Sequence, residues 1–313
     1  MDRIPFLLVL LLLTSCSKSE EPRQVSEEIT YRTAGAPWQN YYLTVVPSGE
    51  IRGLIVLLPG FGTAPERFLY EIKLDSIAPQ LGLMVLVPSP QGWGTHYLDD
   101  ASIDTLHVMI QEVTREHKLA GKKFVIGGFS IGGTGALRFA EQVLEGRFAT
   151  YMTLAGAFAV DSPLDFERLW FSFEREVQRG RSQEAEHFLN ALRDALGGSP
   201  EHHVQQYLRH SPFLASWKDG GEARFLKDIP LRLSVEPDSL WWKANGWLEY
   251  QHQNAHDLDR VFRLLRDLGN ERVELIKTTD RGYRKDGRRH PHSWSIVDER
   301  ELLDWALKTM GRR

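Results

Sequence analysis

The segment Phe124-Val125-Ile126-Gly127-Gly128-Phe129-Ser130-Ile131-Gly132-Gly133-Thr134-Gly135-Ala136-Leu137 decides the fold of this chain. Its first residues form an apolar run typical of a buried strand, and its last residues begin a helical pattern. Between them lies a serine flanked by glycines. On a sharp strand-to-helix turn such a serine is raised above the sheet edge, and the glycines let strand and helix approach closely. This position makes Ser130 the candidate nucleophile.

Short apolar runs recur along the chain and alternate with amphipathic stretches. The alternation predicts an α/β fold with a mostly parallel, eight-stranded sheet and helices on both faces. The predicted strands are residues 29–33, 41–46, 51–58, 83–88, 124–127, 151–154, 231–235 and 273–276. The predicted helices are residues 65–80, 102–118, 131–144, 255–268 and 298–310.

Residues 161–228 break this alternation, because they contain several helical patterns and no convincing strand. We expect a helical cap insert over the carboxyl edge of the sheet, where open α/β sheets place their ligands. An unusually long crossover connection is the alternative.

The first sixteen residues resemble an export signal. Arg3 precedes an apolar run that is too short to cross a bilayer as a mature helix. The run closes with Leu13-Thr14-Ser15-Cys16, which resembles the lipobox of bacterial lipoproteins and implies lipid attachment at Cys16. We therefore expect an exported protein, lipid-anchored in the bacterial cell envelope at the outer membrane. An ordinary signal peptide with an incidental cysteine is the alternative.

The remaining composition indicates one folded unit behind a short linker. Residues 17–28 are polar and charge-rich, which predicts a flexible tether before a folded domain at 29–313. The 313 residues are 42% hydrophobic, which is enough for a full-sized core. Cys16 is the only cysteine, so the domain has no internal disulfide. The formal charge of -4 gives no support for nucleic acid as a partner.

A serine nucleophile needs a base and an acid, which follow it in chain order in a strand-turn-helix context of this kind. Asp238 comes just after the predicted strand 231–235 and is the expected acid, with Glu236 as the alternative. His292 lies between the last strand and the last helix and is the expected base, with His290 as the alternative. The order Ser130, Asp238, His292 predicts a catalytic triad.

The oxyanion formed by attack on a carbonyl needs two backbone donors. The amide of Ile131, directly after the nucleophile, is expected to supply one. The other is expected from Phe61 in the loop Pro59-Gly60-Phe61-Gly62-Thr63. A plain glycine-rich turn is the alternative for this loop.

Three motifs together resemble a known family: Gly-Phe-Ser-Ile-Gly-Gly-Thr-Gly-Ala-Leu-Arg, the loop Pro-Gly-Phe-Gly and the late His-Ser-Trp. They are similar to the α/β-hydrolase superfamily and its branch of esterase D and feruloyl esterases. Pro59 departs from relatives in which a histidine often precedes the glycine of the oxyanion loop. The resemblance implies a serine hydrolase that cleaves small-molecule or polysaccharide esters through an acyl-enzyme, without metal or organic cofactor. Acyl transfer, peptide cleavage and non-catalytic binding at a cell surface are the alternatives.

Two further patterns concern ligands. His252 and His256 have helical i, i+4 spacing, but no Glu follows the first histidine and no third ligand is evident, so we expect no metal site. A basic stretch precedes His292 and is either solvated or attracts an anionic substrate. Its members are Arg281, Arg284, Lys285, Arg288 and Arg289.

Overall fold

A computed structural model describes residues 26–32, 40–92, 94–180, 183–245 and 249–311. In these residues eight strands form one sheet in the order β1-β2-β4-β3-β5-β6-β7-β8. β1 and β2 run antiparallel to their neighbours, and β3 to β8 are parallel. The strands are β1 Ser26–Tyr31, β2 Tyr41–Val46, β3 Gly53–Leu58, β4 Leu83–Ser89, β5 Lys123–Phe129, β6 Thr153–Val160, β7 Leu231–Val235 and β8 Val273–Lys277. The predicted mostly parallel, eight-stranded sheet is confirmed.

Helices cover both faces of this sheet. One apolar core lies under α3, α4 and α9, and the other lies under α1 and α10. None of the helices in the described residues is both long enough and apolar enough to cross a bilayer. The α-helices are α1 Pro65–Glu71, α2 Leu74–Ile77, α3 Asp100–Glu116, α4 Ile131–Glu145, α5 Phe166–Gln178, α6 Gln183–Leu196, α7 Val204–His210, α8 Ser239–Asn245, α9 Asn254–Asp267 and α10 Glu299–Thr309.

Strand β6 differs most from its prediction. It begins at Thr153 and continues to Val160, six residues beyond the predicted end at 154. It pairs with β5 as far as Val160, with a register shift near its start. Its middle, Ala155-Gly156-Ala157, lacks the β-branched residues that signal a strand, so the sequence pattern ends too early. Because of this extension, β6 reaches the carboxyl edge of the sheet directly before Asp161.

Two other element boundaries also differ. The helix predicted at 65–80 is interrupted, because Ile72 is extended and the amide of Lys73 donates to the carboxylate of Glu299 at 2.9 Å. β1 begins at Ser26 and pairs there with Val46, so the first strand starts inside the predicted tether. The predicted signal peptide and the rest of the tether lie outside the described residues.

The segment between β6 and β7 contains α5, α6, α7 and a 3-10 helix at Gly221–Asp228, and no strand among its described residues. It has an apolar core of its own, to which Leu98 of the main domain contributes. The start of this segment is held by the buried Asp257 of α9. Its carboxylate accepts hydrogen bonds from the amides of Leu164 and Asp165 at 3.0 and 3.1 Å. Burial opposes ionisation, but the Arg168 guanidinium holds the pKa of Asp257 below its usual value. We call this segment the helical insert.

Candidate active site

Ser130 occupies the turn between β5 and α4 in a backbone conformation that side chains rarely adopt. Its φ is 55° and its ψ is -130°. Close packing enforces this turn: a Cβ on Gly132 would lie 2.1 Å from the carbonyl oxygen of Leu58, and one on Gly128 would lie 2.5 Å from the same oxygen. The Ser130 amide donates to the carbonyl oxygen of Val160 at 2.9 Å. The serine is therefore held on a strained strand-to-helix turn at the sheet edge.

Asp161 directly follows β6 and faces His292. Its Oδ2 lies 2.7 Å from the Nδ1 of His292, and only 4% of the residue is exposed. The Asp161 backbone is fixed on both sides, since its amide donates to Ser234 and its carbonyl accepts from Asn254, each at 2.8 Å. It also has a positive φ of 43°. A buried carboxylate on Nδ1 fixes the tautomer that leaves Nε2 free to accept a proton.

Ser130, Asp161 and His292 line one cavity of about 600 Å³ at the carboxyl edge of the sheet. The helical insert forms part of its wall through Leu169, Phe173 and other side chains. The ring of His292 also lies against Phe129, with ring centroids 4.6 Å apart. The structure thus brings the predicted nucleophile and base into one cavity and adds a carboxylate that the sequence did not indicate.

The acid predicted from sequence, Asp238, is not the partner of His292. Its Oδ2 lies 2.7 Å from the Arg289 guanidinium, and its Oδ1 accepts from the amide of Trp241 at 2.9 Å. These are an ion pair and a cap at the start of α8. The reason for this difference is geometric, since Asp161 directly follows the adjacent strand β6 and occupies the Nδ1 side of His292.

The alternative acid, Glu236, is 2% exposed and organises the loop after β8 instead. Its Oε2 accepts from Thr278 Oγ1 at 2.9 Å and from the amides of Arg281 and Gly282 at 2.8 and 3.1 Å. Its other oxygen is paired with Arg289. Glu236 therefore supports the loop that carries His292 without facing the imidazole.

His290, the alternative base, has its ring centroid 6.3 Å from that of His292 and packs on aromatic side chains. Its ring contacts the indoles of Trp241 and Trp242, with centroid distances of 4.8 and 5.7 Å. Burial, together with the nearby charge of Arg284, lowers the pKa of His290 to about 4. Among the described residues no carboxylate pairs with its ring. His292 is the imidazole with the geometry of a base.

The two predicted oxyanion donors lie in segments next to Ser130. The amide of Ile131 is at the first position of α4, so it has no partner inside the helix. The loop of Phe61 runs beside the serine, since a Cβ on Gly60 would lie 3.4 Å from the Cβ of Ser130. Within the described part of the chain neither amide donates to a protein acceptor.

An aromatic cluster joins the Phe61 loop to the helical insert. The ring of Phe61 stacks on His96 at 4.6 Å and contacts His187 and Phe188 of α6 at 5.0 and 5.1 Å. The Nε2 atoms of the two histidines lie 3.2 Å apart. Burial and the neighbouring His187 lower the pKa of His96 to about 4, although Asp99 opposes the shift. These contacts place α6 over one side of the cavity.

The histidine pair at helical spacing does not converge on one point. His252 lines the cavity, with its Nδ1 3.2 Å from the Ser172 hydroxyl, whereas His256 packs on Tyr250. Among the described residues, one group of His and Glu side chains has its possible metal-ligand atoms within 4.8 Å of one another. None of its members lines the cavity. Its members are Glu28, Glu116 and His117.

The carboxylate beside His292 that the sequence pattern missed is Asp161. A signal for it was present, because a carboxylate directly after a buried strand lies at the carboxyl edge of a parallel sheet. That signal depended on extending β6 through the apolar residues Phe158, Ala159 and Val160.

The sheet order and the serine on its strand-to-helix corner define an α/β-hydrolase fold. No protein-family model matches the sequence, and no curated protein matches it. Solved structures do match the fold. An S-formylglutathione hydrolase from Agrobacterium tumefaciens has a TM-score of 0.59 at 14% identity, covering 91% of this chain and 95% of that one.

Two other solved structures show the same likeness. Carboxyl esterase 2 from Tuber melanosporum has a TM-score of 0.58 at 11% identity, with 96% of this chain and 89% of that chain covered. An acylaminoacyl peptidase from Pyrococcus horikoshii has a TM-score of 0.59 at 13% identity, covering 94% of this chain. This chain spans 43% of the length of that peptidase. At these identities the likeness establishes the fold.

Proposed function

We propose that this protein is a serine hydrolase that cleaves carboxylic esters through an acyl-enzyme. Ser130 is the nucleophile, His292 is the general base and Asp161 orients the imidazole. The observation that carries the proposal is the 2.7 Å contact between Asp161 and His292 in the cavity that the strained Ser130 lines. A serine, an imidazole and a buried carboxylate are the groups that acyl transfer requires.

The chemistry runs in two steps. In the first, the Ser130 oxygen forms a bond to the ester carbonyl carbon while His292 Nε2 takes the hydroxyl proton. The tetrahedral intermediate then collapses, the bond to the alcohol oxygen breaks, and the imidazolium protonates that oxygen. In the second, His292 takes a proton from water, the water oxygen attacks the acyl-enzyme, and Ser130 is released with its proton restored. Asp161 stabilises the imidazolium in both steps.

The amides of Ile131 and Phe61 are proposed to hold the oxyanion. Support comes from the position of Ile131 at the start of α4 and from the passage of the Gly60 loop beside Ser130. A donor of this kind contributes about 10²–10³ to the rate. The three solved structures with a similar fold are named as a hydrolase, an esterase and a peptidase. These names support acyl transfer in general.

Fluorophosphonate labelling of the full chain tests the proposal directly. We expect one covalent adduct, located at Ser130 by peptide mass spectrometry, and hydrolysis of p-nitrophenyl acetate that the reagent abolishes in proportion to labelling. A panel of acetyl, longer acyl and feruloyl esters then defines the acyl preference, and an added alcohol or amine acceptor separates hydrolysis from transfer. A protein that neither labels nor hydrolyses any ester of the panel contradicts the proposed function.

We also propose that the mature protein is exported and anchored by lipid on Cys16. The support is the sequence ending Leu13-Thr14-Ser15-Cys16 after a short apolar run. In a bacterial host, labelled palmitate is expected to enter the wild-type protein and not the Cys16→Ser variant. Equal incorporation into both proteins would exclude this anchor.

A further inference from the structure

A second concavity begins beside the candidate base. It has a volume of about 1200 Å³, and Phe129 and His290 are among the residues that line it. Phe129 packs on the ring of His292, so this concavity is one side chain away from the reacting groups. We call it the basic groove. Other residues that line it are Arg67, Tyr70, Lys73, Tyr283, Arg284, Lys285 and Arg288.

The charge of this groove is opposite to that of the chain as a whole. Six cationic side chains and two acidic ones line it, on a protein of formal charge -4. Three of the cations are neutralised locally: Arg67 pairs with Glu71, Arg288 with Asp286, and Arg289 with Glu236 and Asp238.

The other three cations have no carboxylate partner. Within the described residues, the side chains of Lys73, Arg284 and Lys285 make no ion pair. Lys285 lies over the ring of Tyr70, 3.1 Å from its centroid, and its Nζ also donates to the Tyr70 carbonyl oxygen. Unpaired cations grouped in a concavity raise the local concentration of anions and attract them at a distance.

Aromatic rings accompany these cations. Tyr70 is 70% exposed and Tyr283 is 38% exposed, both on the walls of the groove. A flat ring with an apolar face offers packing for the C–H face of a sugar, which a point charge does not. The groove volume also exceeds the range of about 300–1,000 Å³ that fits a drug-sized ligand. Rings, cations and a volume above that of a drug-sized site together match a chain of sugars that carries carboxylates.

We propose that the basic groove binds an anionic polysaccharide, a chain of uronate sugars, that carries the ester cleaved at Ser130. This inference rests on the proposed function, because Phe129 lines the groove and packs on His292, which lines the cavity of Ser130. The uronate carboxylates pair with Lys73, Arg284 and Lys285, and the esterified sugar lies beside Phe129. A charged membrane surface would meet a convex face, whereas these cations line a concave one.

The test compares three acetyl esters with the full chain: O-acetylated polygalacturonate, O-acetylated xylan as the neutral polymer, and p-nitrophenyl acetate. In the triple variant Lys73→Gln, Arg284→Gln, Lys285→Gln, kcat/KM on the polygalacturonate is expected to fall about 10–100-fold at low salt, mainly through KM. The other two substrates are expected to change less than about twofold. Added salt lowers the wild-type rate on the polygalacturonate alone.

A matched control removes three charges elsewhere: Lys218→Gln, Lys227→Gln and Lys308→Gln, all exposed and outside the groove. It is expected to behave as the wild type on every substrate. Equal losses on both polymers, or unchanged activity of the groove variant on the polygalacturonate, would overturn the proposal. Loss of binding to phosphatidylglycerol vesicles without loss on the polygalacturonate would assign the cations to a membrane instead.

A binding measurement separates the groove from the chemistry. The Ser130→Ala variant is expected to bind unesterified polygalacturonate in affinity electrophoresis as tightly as the wild type, and the groove variant is expected to bind it weakly. If the wild type hydrolyses none of the three esters, the proposed function fails. If it hydrolyses p-nitrophenyl acetate but does not bind the polymer, only the groove proposal fails.

Discussion

Replacement of Ser130 with alanine or with glycine is expected to lower kcat for ester hydrolysis about 10⁶-fold, because either change removes the only atom that forms the acyl-enzyme. The two variants should differ in stability. Ser130 has a φ of 55° and a ψ of -130°, which glycine adopts without steric cost and alanine does not. We expect Ser130→Gly to raise the free energy of unfolding by about 1 kcal/mol and Ser130→Ala to leave it near the wild-type value.

Urea unfolding and p-nitrophenyl acetate hydrolysis, measured on the same preparations, test both parts. A gain in stability that accompanies the loss of activity would identify Ser130 as a position where backbone strain is retained for function. Undiminished hydrolysis by Ser130→Ala would show that another residue is the nucleophile. Equal free energies of unfolding for the wild type, Ser130→Gly and Ser130→Ala would show that the backbone at Ser130 is not strained.

The part of the site around Ser130 was predictable because its chemistry is local. A serine on a strand-to-helix turn needs an apolar strand before it, glycines beside it and a helix after it. All three are consecutive in the sequence. The structure explains the two flanking glycines, because a side chain on Gly128 or Gly132 would collide with the carbonyl of Leu58. The sheet was predictable for a related reason, because its buried strands are short apolar runs between helices.

The carboxylate that contacts His292 was not predictable by the same reasoning, because it depends on which strand end the His292 loop meets. Both Asp161 and the pair Glu236 and Asp238 follow neighbouring parallel strands, β6 and β7. All of them therefore lie at one edge of the sheet. Only the three-dimensional path of the loop after β8, held by Glu236 and Arg289, brings His292 to Asp161.

The predicted end of β6 at residue 154 kept Asp161 out of the set of carboxylates that follow a strand. Asp161 was assigned to the start of the helical insert, because Ala155-Gly156-Ala157 weakens the strand signal before it. In the structure the small residues serve packing, since a Cβ on Gly156 would lie 2.9 Å from the carbonyl oxygen of Pro230. Residues chosen for close approach between neighbouring elements conceal a strand from propensity-based reasoning.

Two substitutions, Asp161→Asn and Asp238→Asn, distinguish which carboxylate is the acid. Asp161→Asn is expected to lower kcat about 10⁴-fold, because a neutral amide neither holds the Nδ1-protonated tautomer of His292 nor stabilises the imidazolium. In Asp238→Asn the side-chain oxygen can still accept from the amide of Trp241, and Arg289 still pairs with Glu236. The kcat of this variant should therefore stay within about threefold of the wild type.

The rate of fluorophosphonate labelling distinguishes a positioning role of Asp161 from a loss of folding. Labelling needs an activated Ser130 but no leaving alcohol, so it should fall in Asp161→Asn in parallel with kcat while circular dichroism stays unchanged. If Asp238→Asn showed the large loss and Asp161→Asn the small one, the contact of 2.7 Å between Asp161 and His292 would be structural only. The acid would then have to reach His292 from β7, through a movement of the loop that Glu236 now holds in place.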